Sequence, residues 1–94
     1  MLGISSGRKT VTAAGTAEAL ESARREVLVA VITAETDNTG VVVIGGSDVI
    51  ATQATRKGVP LDAGDSITLY QLDMNRIYID TTVNGDGVTY LTVT

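Results

Sequence analysis

The stretch Glu26–Ile44, "EVLVAVITAETDNTGVVVI", decides how this chain folds. Its first nine residues are rich in β-branched side chains, which favour the pleated surface of a strand over a helix. In an extended segment Val27, Val29 and Val31 point to one side, and Leu28, Ala30 and Ile32 to the other. Both sets are apolar, so both faces of this strand need cover. The hexapeptide "ETDNTG" then supplies Asp37, Asn38 and Gly40, residues that accept left-handed backbone or bond to their own main chain, and so predicts a turn. Val41–Ile44 follow as a second strand, again apolar on both sides.

The same reading extends outward. "ITLYQL" places Ile67 and Leu69 inward, with Thr68 and Tyr70 on the opposite face. "RIYID" alternates likewise, with Ile77 and Ile79 in and Tyr78 and Asp80 out. "NGDG" offers a glycine-rich hairpin loop, and "VTYLTVT" closes the chain. Short β-like pieces lie near Thr10–Thr12 and Thr16–Leu20, and "ESARRE" reads as a polar loop or a single helical turn. Between Gly45 and Ser66 runs a long connection holding one short strand near Val49–Ala51 and the only proline, Pro60. Six or seven short strands separated by turn signals predict an all-β fold, a small antiparallel β-sandwich or barrel of jelly-roll-like type. Residues 8–94 form that domain. Residues 1–7, "MLGISSG", are expected to be a flexible arm, either a disordered end or a docking arm carrying Met1, Leu2 and Ile4.

Composition narrows the function. Twelve Val and fourteen Thr accompany ten Gly, the balance of an all-β chain with many turns. A chain of 94 residues buries only ~60–65% of its unfolded surface, a marginal core for a monomer. No Cys is present to staple it, and no His to act as general base or metal ligand. Association with other chains is the remaining means of stabilisation. Eleven acidic residues against seven basic give a net charge of −4, and the three aromatics are all Tyr. That argues against nucleic acid as a partner, and against an anionic membrane surface. No apolar run approaches the length of a transmembrane helix. At the N-terminus the charges follow the apolar residues, the reverse of a secretory signal, so synthesis and retention in a cytoplasm are expected unless the chain leaves within a larger particle.

No candidate for chemistry survives comparison with what that chemistry needs. "GGSDVIATQAT" lacks the Lys and the following helix of a phosphate loop, so Gly45 and Gly46 are read as turning a strand. Asp86, Asn84 and Asp80 supply hard oxygens, but one Asp between two glycines falls short of a calcium loop. Lys9 and Lys57 stand beside Arg in polar segments, where they stay protonated and cannot activate a Ser. Asp62 and Asp65 flank a glycine turn as capping residues rather than as a glycosidase pair. The expectation is a protein without catalysis, cofactor or metal. Tyr70, Tyr78 and Tyr90, on three consecutive strands, are either cross-strand pairing residues or an exposed platform for binding a sugar or protein.

The order of landmarks resembles a known group. Asn38–Gly40 lead into an apolar strand that ends at Gly45–Val49; Gly58–Ser66 form a "GVPLDAGDS" turn; Ile77–Asp80 and Gly85–Val88 follow, with "GTA" at Gly15–Ala17 ahead of them. Over residues 8–94 this is similar to small β-rich proteins encoded among the virion genes of tailed bacteriophages and prophages. "ESARRE" departs from the more usual Ser/Thr-rich loop at that place. The resemblance implies a structural virion protein, made in the host bacterial cytoplasm, of the capsid-decoration or head-fibre-base type, or a small tail part. Its implied partners are the major capsid or another virion protein and further copies of itself. A homotrimer would cover the second faces of residues 26–34 and 41–44, making Val27, Val29, Val31, Val41 and Val43 the expected interface. The alternative is a tail or fibre component that binds a receptor or carbohydrate.

Overall fold

The computed structural model describes residues 3–94. Eight strands run in order: β1 (Ile4–Thr10), β2 (Glu18–Ala19), β3 (Glu26–Ala34), β4 (Val42–Gly45), β5 (Val59–Leu61), β6 (Ser66–Asp73), β7 (Tyr78–Thr81) and β8 (Gly87–Val93). One sheet has the order β1-β8-β3-β6, the other β2-β7-β4-β5, and every pairing is antiparallel. First pairs with last, second with seventh, third with sixth and fourth with fifth. That is one long antiparallel hairpin folded over into two layers, the jelly-roll arrangement. The two sheets do not close into a barrel. Segment 20–25 is a loop, as the sequence reading allowed, and among the described residues the only helical turns are two 3-10 turns at Gln53–Thr55 and Met74–Arg76.

The main core lies between the sheets. Ala30, Ile32, Ala34 and Val88 face Val42, Ile44, Leu61 and Ile79, with Ile67, Leu69 and Tyr90 packed against them. The alternation read from "ITLYQL" therefore holds. The one read from β3 does not. Val27 is buried and Leu28 exposed, while Ala30, Ile32 and Ala34 are buried further along. The alternation slips by one residue between Leu28 and Val29. Its partner strand slips at the same level, where Tyr70 and Gln71 are both exposed and Gln71 takes φ 51°. A local left-handed residue costs free energy in a non-glycine, and here it keeps both Val27 and Leu72 turned inward.

A second, smaller core covers the outer face of the second sheet. Val43, Val49 and Ala51 are buried there, with Ala17, Val41 and Tyr78 against them. The long connection after β4 folds back over that face. Gly58 makes the return possible: its φ is +119°, and a Cβ would lie 2.6 Å from the Ile44 carbonyl oxygen and 2.8 Å from Val43. Gly45 ends β4, and the Gly46 carbonyl accepts the Val49 amide at 3.0 Å, so the double glycine starts a turn, as expected. Two expectations are corrected here. Asp80 does not face solvent, because the overlying loops bury it to 1% exposure. "NGDG" is not a hairpin, because β7 and β8 belong to different sheets and the turn carries the chain across the sandwich.

The N-terminal boundary is also corrected. Ile4–Gly7 form part of β1, in register with Tyr90–Val93 of β8, because the last strand presents an open edge that their backbone groups can satisfy. Met1 and Leu2 lie outside the described residues.

Candidate functional site

The outer face of the first sheet is the surface on which the chain leaves its largest apolar side chains. Paired residues in an antiparallel sheet point to the same side, so the register defines rows across it. Ile4, Val93, Val29 and Tyr70 make one row. Ser6, Leu91, Val31 and Thr68 make the next, and Arg8, Thr89, Thr33 and Ser66 a third. The face grades from fully apolar to polar along the strands. Ile4 is 72% exposed, Tyr70 69% and Leu91 41%, whereas Val29, Val31 and Val93 are half-buried by their neighbours. Leu28, 47% exposed, lies at the slip beside the apolar row. There it borders a shallow depression of about 560 Å³, lined also by Gln71, Leu72, Asp73 and Thr94. A contiguous exposed apolar surface on a small protein marks an interaction site more often than scattered residues do.

The expected interface residues therefore divide. Val29 and Val31 face outward on this surface, and Ile4 joins them from the edge strand. Val27 turns into the core through the slip. Val43 is fully buried under the chain's own connection, and Val41 packs half-buried against the same small core, so cover that was assigned to a neighbouring copy is supplied from within. Leu28, Leu91 and Val93 were not among the residues chosen from the sequence. "YLTV" alternates plainly enough to have offered Leu91 and Val93; the slip that frees Leu28 has no local signal.

The tyrosines do not form a platform. Tyr70 lies on the exposed face, Tyr78 is half-buried beneath the loops of the second sheet, and Tyr90 points between the sheets. The Tyr90 hydroxyl donates to Glu21 at 3.0 Å, and Glu21 takes a two-pronged bond from Arg25 at 2.9 and 2.6 Å. Arg25 also reaches the buried Thr92 hydroxyl at 3.1 Å. The Arg25 bond, opposed by burial and aided by Tyr90, holds the Glu21 carboxyl below the ordinary range. Burial and the bond to Glu21 push the Tyr90 phenol up. "ESARRE" thus ties its loop into the sandwich.

The remaining candidates are taken up by structural bonds. Asp80 accepts the amides of Gly15 and Thr81 on one oxygen and that of Ala51 on the other, at 2.8–2.9 Å. Asp86 accepts the amides of Thr39 and Gly40, and Asn84 accepts that of Ala14 at 2.7 Å. Asn84 and Asp80 thus hold one loop by the successive amides of Ala14 and Gly15, Asp86 holds the turn at Thr39–Gly40, and all three side chains named as hard ligands are engaged by backbone amides. Among the described residues no cluster of three or more acidic side chains could hold a metal. Asp62 and Asp65 close a turn on each other, Asp65 accepting the Asp62 amide at 3.1 Å. Lys9 is paired with Glu18 at 3.1 Å, while Lys57 exchanges backbone bonds with Ile50 at 3.0 and 3.1 Å. Arg8 bonds Glu35, which is buried to 8% exposure.

No helix among the described residues is long and apolar enough to cross a membrane. No protein-family model, curated protein or solved structure matches the chain.

Proposed function

We propose that this chain is a non-enzymatic structural protein of a tailed-phage virion, a capsid decoration subunit that acts by packing against other protein. The observation that carries the reading is the apolar outer face of the first sheet, centred on Ile4, Val29, Tyr70 and Leu91. Its partners are the outer head shell and neighbouring copies in a symmetric assembly, of which a trimer is the form first expected. Three further features support it. The order of turns resembles small virion proteins; a jelly-roll sandwich recurs in capsid architecture, a fold-level analogy; and the deepest polar side chains are engaged in holding loops. Burying a fully exposed Val, Leu, Ile or Phe gains roughly 1.5–3 kcal/mol, so a handful of such residues per subunit offsets much of the cost of association. The receptor-binding alternative needs aromatic side chains on one surface, and Tyr70 stands alone.

The test is cryo-electron microscopy and protein composition of tailed particles from the phage or lysogen that encodes the chain. A stoichiometric density on the head, contacting the shell through Val29, Tyr70 and Leu91, supports the proposal. Particles that lack the protein refute it.

A further inference from the structure

The four sheet edges are not equivalent. In the second sheet β2 is two residues long, and β5 carries the exposed Pro60, which cannot donate to a neighbour. In the first sheet β6 is interrupted by the left-handed Gln71. Such devices keep edges from pairing with foreign strands. β1 has none of them. Its seven residues, "ISSGRKT", are extended throughout, and among the described residues no strand pairs with its outer side. Its two charges, the usual guards of an edge, are both neutralised, Arg8 by Glu35 and Lys9 by Glu18.

We infer that β1 pairs antiparallel with β1 of a second copy, across a two-fold axis at Gly7. Gly3 and Thr94 exchange both of their backbone bonds, at 3.1 and 2.9 Å. Bonded pairs alternate along an antiparallel ladder, so Ser5, Gly7 and Lys9 point their amides and carbonyls toward β8. Ile4, Ser6, Arg8 and Thr10 point theirs to the open edge. An axis at Gly7 sets Ile4 opposite Thr10 and Ser6 opposite Arg8, so every outward group meets an outward group. A shift of one residue would set bonding groups against non-bonding ones. A shift of two toward the C-terminus would set Ile4 and Ser5 opposite positions beyond the end of β1. A shift of two the other way would set Lys9 and Thr10 opposite positions outside β1.

At the axis itself the strands approach most closely, and Gly7 has no side chain, since a Cβ there would collide with the Tyr90 ring. The product is one continuous sheet of both copies, with their apolar outer faces on the same side. This contact uses the strand edge alone and stands whether or not the outer face binds a capsid.

The chain has no Cys, so engineered thiols report the register directly. Ile4→Cys and Thr10→Cys both change exposed side chains. In the inferred dimer Cys at position 4 of one copy faces Cys at position 10 of the other, with Cα atoms about 5.5 Å apart, within reach of a disulfide. Two copies of the same variant hold their thiols about 20 Å apart. Mild oxidation of the two variants mixed should yield a covalent heterodimer, and each variant alone should remain monomeric on denaturing gels. Equal cross-linking in all three samples, or none in any, overturns the inference. Ser6→Pro removes one outward amide without touching the β8 ladder, and it should abolish the dimer boundary in sedimentation. A folded Ser6→Pro protein that still sediments as wild type also overturns it, and should that variant fail to fold, the thiol pair decides.

Discussion

Asn38 and Gly87 are joined as though they were opposite residues of neighbouring strands. The Asn38 side-chain amide donates to the Gly87 carbonyl at 2.9 Å, and its oxygen accepts the Gly87 amide at 3.0 Å. Asp86, one residue earlier, accepts the amides of Thr39 and Gly40. The "NTG" and "NGDG" turns, 46 to 49 residues apart in their bonded partners, thus interlock at one end of the sandwich. Gly40 allows the approach, since a Cβ would press on Thr82 and Val83. Two turns far apart in the sequence are therefore halves of one polar clasp.

Replacing Asn38 with Ala leaves the buried Gly87 amide without this partner, while the Gly87 carbonyl keeps the Glu35 amide at 3.0 Å. The expected loss of stability is about 1–3 kcal/mol, read as a lower urea midpoint with an unchanged slope. A variant as stable as wild type would show that the clasp is not a stabilising contact.

Asp80 holds two loops against the second sheet through three backbone amides. Asp80→Ala should cost about 3 kcal/mol or more, because each buried donor left unpaired costs ~1–3 kcal/mol. Asp80→Asn keeps one oxygen for Gly15 and Thr81 but sets an NH2 against the Ala51 amide, so it should fall between Ala and wild type. Thermal unfolding of the three proteins gives the order directly.

Acid should destabilise the fold. Glu21 is held below its ordinary range by Arg25, and Glu18 is lowered as well: burial alone would raise it, but bonds from Lys9 and the Thr12 amide outweigh burial. A carboxyl with a depressed folded pKa contributes stability above its unfolded value, about 4.3, and loses it as pH falls through the folded one. Tyr90 acts at the other limit: its pKa is raised, so its contribution is complete below about pH 10 and lost above it. The unfolding midpoint should be level near neutrality and fall below about pH 4.3, with a shallower acid limb in Glu21→Gln.

Leu91 and Val43 should respond in opposite ways. Leu91→Ser changes an exposed residue of the outer face and should alter stability by no more than about 1 kcal/mol, while weakening self-association or shell binding. Val43→Asp places a charge in the small core and should prevent folding. Circular dichroism beside light scattering separates the two outcomes, and an unfolded Leu91→Ser would remove the distinction between face and core.

What the sequence determined by itself was local. Period-two alternation over Ile67–Tyr70, the β-branched runs at Val27–Ile32 and Val41–Ile44, and the turn residues of "ETDNTG" established strands and an all-β sandwich. They do so because side-chain direction in a strand depends only on position along it. Tertiary structure alone decided which faces remained open. Val43 and Asp80 read as outward and are outward, yet loops from residues 12–17 and 46–57 bury them. Val27 and Leu28 exchange sides because β3 and β6 slip together at Gln71, a conformation set by their pairing. Ile4 became a strand residue only when β8, at the far end of the chain, presented its edge. Cover, slip and edge pairing all depend on segments distant in sequence, and alternation within one strand holds no information about them.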